Sequence, residues 1–173
     1  MRVIYLPTIW TIVLDSIAWA TIQPGIAYLS LRFPAAVLEH RLWPYRTRAW
    51  ERGGAIYDQL FRVKAWKARL PSGGGMLGGF SMTRMVSHDV AHLERWVLET
   101  CRSELCHWVA IAPALLFFLW NPPAVGIVMI VYALAFNLPL VIVQRRNRPR
   151  LLALIKRRKR LSGRTGAQGP VQV

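Results

Sequence analysis

The 173-residue chain is expected to be an all-α integral membrane protein. It should have about three transmembrane helices, one N-terminal and two in a C-terminal hairpin, plus amphipathic interfacial helices. Three observations carry this expectation. The chain is 54% hydrophobic, with a mean hydropathy of +0.28. Its apolar residues gather in three runs, and its 23 Lys and Arg, against 8 Asp and Glu, give a net charge of +15 concentrated outside those runs. A soluble protein this basic would dilute its apolar content with charge. The composition therefore excludes a disordered basic tail, and two cysteines exclude a secreted disulfide scaffold. The length suits one membrane-embedded unit, residues 1–160, followed by a polar tail, 161–173, rich in small residues and expected to be disordered.

The first run extends from Val3 to about Ile22, is interrupted only by Asp15, and is expected to end at Pro24-Gly25. Arg2 and Ala18-Trp19-Ala20 imitate a signal peptide, but Asp15 sits in what would be its core and apolar residues continue from Ile26 to Leu31. A retained span is expected. The other two runs lie back to back and are split by Asn121-Pro122-Pro123. Ala124 to Val143 covers about 30 Å as a helix, the thickness of a hydrocarbon core. Trp108 to Trp120 covers only about 20 Å, so its helix must begin near Arg95 to Leu98. That start carries Glu99, Arg102, Glu104 and His107 toward the membrane surface. The Asn-Pro-Pro turn closes the hairpin, and Pro113 is expected to kink its first arm.

One basic residue precedes the first run, 12 lie between Arg32 and Arg102, and 10 follow the third run. The positive-inside rule then places the N-terminus outside and both basic blocks on the cytoplasmic face of a multi-pass cell-membrane protein. Whatever the orientation, a hairpin that crosses and returns brings His107 and Gln144 to Arg150 to similar depth. Between them, Leu42-Trp43, Trp50, Ile56-Tyr57, Leu60-Phe61, Val63 and Trp66 recur at spacings of three and four among basic residues. This is the pattern of amphipathic helices lying against anionic lipid. Pro71 to Gly75 and Gly78-Gly79 form a glycine-rich loop.

Glu104 and His107 are three residues apart, on one helical face with Thr100 and Ser103. A carboxylate there can fix the imidazole tautomer and raise its basicity, as a general base for a hydroxyl requires. The plainer alternative is a surface pair reaching toward the interface. Gln144 to Arg150 is the second candidate. Arg145, Asn147 and Arg148 are placed to grip a phosphate, such as that of coenzyme A or an acyl carrier. The alternative there is topogenic charge attracted to anionic lipid, preferred for Lys156 to Arg160. Arg62 to Lys67, with Lys64, Trp66 and Lys67, joins cations to an indole and either does the same or lies on lipid. Nucleic-acid binding has no folded motif behind it.

Other signals are weaker. His88 and His92 with Glu104 and His107 suggest a metal site only loosely, because four histidines and one Glu-x-x-His cannot build a histidine-rich di-iron centre. No metal or cofactor is expected. The His-x4-Asp acyltransferase signature, a Gly-x-Ser-x-Gly elbow and a P-loop are all missing. Cys101 and Cys106 point different ways on one helix and should not pair. Asp15 is either a buried contact within the bundle or a functional carboxylate.

The chain resembles the glycosyl-4,4'-diaponeurosporenoate acyltransferases of staphyloxanthin-type carotenoid biosynthesis. The likeness runs through Trp19, Gln23, Ile26-Ala27 and Arg32-x-Pro34, then Phe61-x-Val63-x-x-Trp66-Lys67. It continues in Glu99-Thr100-x-x-x-Glu104-Leu105-x-His107-Trp108 and closes in Asn137-x-Pro139 and Val143-Gln144-Arg145-x-Asn147-Arg148-Pro149-Arg150-Leu151. It departs at Ser72, where an Asp is expected, and at Arg146, where an aromatic is usual.

The resemblance implies a membrane enzyme that esterifies a sugar hydroxyl of a glycosylated carotenoid with a fatty acyl group from acyl-coenzyme A or acyl carrier protein. It points to the Glu104/His107 and Gln144 to Arg150 positions, and from the chemistry of those side chains His107 is expected to act as base and Glu104 to orient it. Arg145 and Arg148 are expected to bind the donor or steady the oxyanion, with Gln144, Asn147, Asn137, Lys64, Trp66 and Lys67 at the substrates. Expected partners are an anionic-lipid bilayer, the lipophilic glycoside and the acyl donor, with no nucleic acid. The competing reading is a non-catalytic subunit that anchors or stabilises a lipid or carotenoid pathway complex. An acyltransferase of another glycolipid or a phospholipid would share the same chemistry.

Overall fold

A computed structural model describes residues 2–70, Phe80 and residues 89–167. The described residues are helical or irregular, with no strand among them. Three helical stretches are long and apolar enough to cross a membrane: Thr8–Ser30, Val90–Leu119 and Pro123–Gly163. We name the α-helices α1 (Thr8–Ser30), α2 (Ala55–Phe61), α3 (Val63–Trp66), α4 (Val90–Ile111) and α5 (Pro123–Ala167).

The first span does not stop at Pro24-Gly25. Helix α1 passes through Pro24 and ends at Ser30. An interior proline removes one backbone donor and usually kinks or breaks a helix. Here α1 is held on both sides of it. Gln23 donates to the Ala110 carbonyl at 3.3 Å. Past the proline, the Arg102 guanidinium donates to the carbonyls of Ser30, Leu31 and Phe33 at 2.8, 3.1 and 3.2 Å. A cation on the unsatisfied carbonyls of a helix C-terminus satisfies them and opposes the helix dipole.

The first hairpin arm begins earlier than the shortest helix that would span. Helix α4 starts at Val90 and gives way at Ala112 to a 3-10 helix, Ala112–Leu119. The expected kink at Pro113 is thus a change of helix type. In the tighter i→i+3 register the Ala110 carbonyl would be served by residue 113, a proline with no N–H, and Gln23 serves it instead. The turn at Asn121-Pro122 is clasped by Asp15, whose Oδ1 accepts from Trp120 Nε1 at 2.7 Å and Asn121 Nδ2 at 2.8 Å. Of the two readings of Asp15, the buried contact is the one observed. Close packing at the turn needs Gly126, because an added Cβ would lie 2.6 Å from the Phe118 ring.

Helix α5 starts on Pro123, where a missing N–H costs nothing, and its 45 residues cover about 67 Å. That is twice a hydrocarbon core, so everything beyond Val143 is the basic extension. The helix continues to Ala167, past Leu161 where the polar tail was expected to begin. Contacts from Asp15 to Trp120, Trp19 to Phe117 and Gln23 to Ala110 run α1 antiparallel to the α4 arm. The hairpin turn therefore shares one end of the bundle with the start of α1. The middle region and the basic extension share the other.

The middle region differs from the expected amphipathic helices. It is a chain of short pieces: 3-10 turns at Ala35–Leu38, Ala49–Gly54 and Lys67–Arg69, with α2 and α3 between. Helices of seven and four residues do not persist by propensity alone. Left-handed residues Arg52, Gly53, Gly54 and Arg62 break them. They are held by packing on α5, so close that a Cβ on Gly54 would stand 2.6 Å from the Arg146 carbonyl oxygen. The apolar residues divide accordingly. Tyr45, Tyr57 and Val63 are buried, while Trp43, Trp50, Leu60 and Phe61 face outward. The glycine-rich loop, Ser72 and His88 lie outside the described residues.

Candidate active site

The antiparallel seam between α4 and α5 holds an unusual run of buried polar side chains. Thr100, Glu104 and His107 on α4 face Arg148, Gln144 and Asn137 on α5, since spacings of three, four and seven keep each set on one stripe. Thr100, Glu104, Asn137 and Arg148 are almost wholly inaccessible. Burying such groups is costly unless each finds partners, and here they do.

Glu104 is gripped from both sides. Its Oε1 accepts from Arg145 Nη1 at 2.6 Å and its Oε2 from Arg148 Nη2 at 2.5 Å. Arg148 also donates to Thr100 Oγ1 at 3.0 Å, the Thr100 carbonyl at 3.1 Å and the Tyr45 carbonyl at 2.8 Å. Its guanidinium lies over the Tyr45 ring. Arg145 extends the network into the middle region, donating to Glu51 Oε1 at 2.7 Å and to the Pro44 carbonyl at 2.9 Å. Glu51 in turn accepts from Tyr57 Oη at 2.7 Å and from the Arg48 backbone N–H at 2.8 Å. Burial and the hydrogen bond to the Glu51 carboxylate push the Tyr57 phenol above its ordinary value. Two carboxylates and two guanidiniums thus form one charge-balanced cluster.

This changes two expectations. Glu104 is not the group that orients His107, because a carboxylate flanked by two guanidiniums makes charge-assisted bonds that a neutral imidazole cannot match. His107 Nδ1 instead meets Asn137 Oδ1 at 2.9 Å. Asn137 Nδ2 donates to the Ala133 carbonyl at 2.9 Å, so its oxygen is the atom turned to the imidazole. On that assignment His107 carries its proton on Nδ1 and keeps a lone pair on Nε2. Second, Arg145 and Arg148 are occupied by protein acceptors, so neither is a free cation waiting for a phosphate.

Of the remaining expected residues, Gln144 is buried on the same stripe as Asn137 and Arg148. Asn147 belongs to a separate cluster, where its Oδ1 accepts from Arg146 Nη1 at 3.0 Å. Arg146 makes a bidentate pair with Asp58 at 2.7 and 2.9 Å, and Arg150 joins it at 2.7 Å. The Arg146 hydrogen bonds, chiefly, hold the Asp58 carboxyl well below the usual carboxylate range. Burial, then the nearby Arg146 and Arg150 charges, pull the Lys67 ammonium down, which places Lys67 beside this second cluster. Trp66 turns its indole N–H to the Phe61 carbonyl at 2.7 Å, and Lys64 is exposed. The structure does not bring these three to His107 through any hydrogen bond.

Sequence reasoning missed Glu51, Tyr57, Tyr45 and Asp58. One signal pointed to two of them: with 8 acids against 23 bases, any acid inside a basic block is a candidate partner for a buried arginine. His92 sits between the Phe80 and Trp96 rings, and its buried Nε2 has no hydrogen-bond partner among the described residues. Among the described residues no group of three or more His, Cys, Asp and Glu gathers as metal ligands. Cys101 and Cys106 are buried free thiols.

A helical membrane-type bundle with a half-buried histidine held against an asparagine defines a candidate for hydroxyl activation, and comparisons with known proteins supply the class. The profile of the glycosyl-4,4'-diaponeurosporenoate acyltransferase family matches residues 41–157. The chain is 31% identical over 146 residues to the protein of that name from Staphylococcus aureus strain MRSA252, covering 84% of this chain and 88% of that one. It is 30% identical over 139 residues to the Staphylococcus haemolyticus strain JCSC1435 protein of the same name, covering 80% and 81%. No solved structure matches. The protein is an acyltransferase. It belongs to the glycosyl-4,4'-diaponeurosporenoate acyltransferase family.

Proposed function

We propose that this protein transfers a fatty acyl group to a sugar hydroxyl of a glycosylated carotenoid, with His107 as general base. The observation that carries the reading is the Asn137 clamp. With Nδ1 bound to Asn137, His107 keeps the Nε2 lone pair for the hydroxyl. Nε2 takes the hydroxyl proton as the sugar oxygen attacks the donor thioester carbonyl. The C–S bond then breaks, the ester forms, and the proton passes from Nε2 to the leaving thiolate. Gln144, on the same stripe between Asn137 and Arg148, supplies an amide donor to the oxyanion. Glu104, Arg145, Arg148, Glu51 and Thr100 keep the two helices in register rather than touching substrate.

The substrates' physical chemistry agrees with the placement. A lipid-soluble glycoside reaches His107 from the bilayer, because Asn137 lies six residues, about 9 Å, inside the Val143 end of the apolar run. The positive-inside rule puts this end of the bundle at the cytoplasmic face. Outward-facing Trp43, Trp50, Leu60 and Phe61, interleaved with arginines, rest there on anionic lipid.

The test is ester formation in membranes carrying His107→Gln, with insertion verified separately. We expect a loss of about 10²- to 10⁴-fold in kcat, the usual worth of a general base. Asn137→Leu should lose at least about tenfold of it by freeing the imidazole tautomer. Ester formed by His107→Gln at the wild-type rate would overturn the assignment of His107 as the base.

A further inference from the structure

The anionic donor needs cations, and those nearest Glu104 are taken. Arg145 and Arg148 give their donors to Glu104, Glu51, Thr100 and backbone carbonyls, and Arg146 gives its to Asp58 and Asn147. The donor must be held elsewhere.

A groove of about 500 Å³ lies farther along the same seam, at the basic end of α4 and α5. Its floor is apolar, made by Leu38, Val97, Leu152 and Ile155, and His40, Arg41 and Lys159 stand among its lining residues. Leu152 is nine residues beyond Val143, about 14 Å past the apolar run, so the groove opens where a water-soluble molecule can enter. Two acids also line it. Glu39 meets Arg41 at 3.9 Å and Glu94 meets Lys159 at 2.7 Å, both between exposed side chains. Exposed pairs of this kind contribute little and exchange partners readily. Lys156 lies one turn from Leu152 on the adjoining face, within the run Lys156 to Arg160, so the surroundings remain strongly positive.

We propose that this groove binds the acyl donor as acyl-coenzyme A, resting on the acyltransferase reading above. Its nucleotide end would meet Arg41, Lys156 and Lys159 through phosphates, and the apolar floor would take the adenine and the start of the pantetheine arm. The volume falls within the few hundred to one thousand Å³ typical of small-molecule sites. A carrier protein would instead need roughly 800 Å² of contact surface. Val97, which lines the groove on the face of α4 that carries Glu104, is ten residues from His107. The arm must therefore span about 15 Å along the helix to bring the thioester to Nε2, the work of an extended chain.

The experiment uses the full chain in nanodiscs and a non-hydrolysable thioether analogue of acyl-coenzyme A, with calorimetric titration beside steady-state kinetics. Lys159→Glu combined with Arg41→Glu should raise Kd at least tenfold and raise the donor KM equally, with the acceptor KM unchanged. Ala36→Trp, at the exposed rim, should block binding by filling the groove without touching the core. Arg157→Glu, on the opposite face of α5, should bind like wild type and controls for net charge. His107→Gln should bind the analogue normally while failing to turn over, which separates this proposal from the catalytic one. Unchanged Kd in both groove variants, or a rise in Kd for Arg157→Glu equal to that in the rim variant, overturns the groove. So does transfer from acyl carrier protein but not from acyl-coenzyme A, an outcome that leaves His107 untouched.

Discussion

Replacing Glu104 by Gln tests whether the α4–α5 seam is held by charge. The substitution keeps size and shape but leaves Arg145 and Arg148 sharing one carboxylate, Glu51, where there were two. Arg148 would retain Thr100 and the Tyr45 carbonyl, and Arg145 would retain Glu51 and Pro44. What is lost is two charge-assisted bonds of 2.6 and 2.5 Å. Bonds to charged groups contribute about 1.5–3 kcal/mol each, and removing one member of a buried ionic set costs about 3–5 kcal/mol. The two routes agree on about 3–5 kcal/mol, or about two to three and a half decades in the folding equilibrium. Reversible unfolding in mixed micelles would measure it. The pair Glu104→Leu with Arg148→Met should recover most of the loss, because Arg145 and Glu51 then balance each other. A cost for Glu104→Gln below about 1 kcal/mol, the range of exposed pairs, would refute the reasoning, as would a double variant less stable than the single one.

Asp58 gives a pH dependence. Its folded pKa lies below its ordinary value of 3.8, so the stability it contributes is complete above that value and is lost progressively as pH falls from there through the folded pKa. Thermal unfolding of wild type should weaken from pH 6 to pH 3 more than that of Asp58→Asn, and parallel curves would contradict the pairing with Arg146. Gly54→Ala should destabilise by about 1–3 kcal/mol, since the position has φ 85° and a Cβ would meet the Arg146 carbonyl; denaturant titration would measure it. Asp15→Ala strands the Trp120 and Asn121 donors, at about 1–3 kcal/mol for each left unsatisfied. Loss of protection in hydrogen exchange around the hairpin turn would report it.

Much of the fold was legible because hydropathy and length are summed over whole helices. The three spans, the Asn-Pro-Pro hairpin and the meeting of the Glu104 block with Gln144 to Arg150 all follow from them, whereas His107 lies deeper than that stretch, beside Asn137. The ends of the spans were less legible. Pro24 reads as a terminator in sequence, and it fails to terminate because Gln23 ties α1 to the Ala110 carbonyl of α4 on one side of it and Arg102 satisfies the carbonyls at the helix end on the other. The middle region misled for a related reason. Its spacing of three and four is helical, yet left-handed Arg52, Gly53, Gly54 and Arg62 cut it into turns that only docking on α5 can hold.

The site divides along the same line. Sequence alone determined the membrane class, the family likeness and the two blocks that meet, since composition and spacing are local properties. Which side chain pairs with which was decided only by the tertiary structure. On one helix Glu104 and His107 are neighbours, and local reasoning couples them. Packing α5 against that face offers the carboxylate two guanidiniums and the imidazole a fixed amide, and the strongest available partners win. Partner choice between buried polar groups depends on what lies across the seam, and no spacing along one helix encodes that.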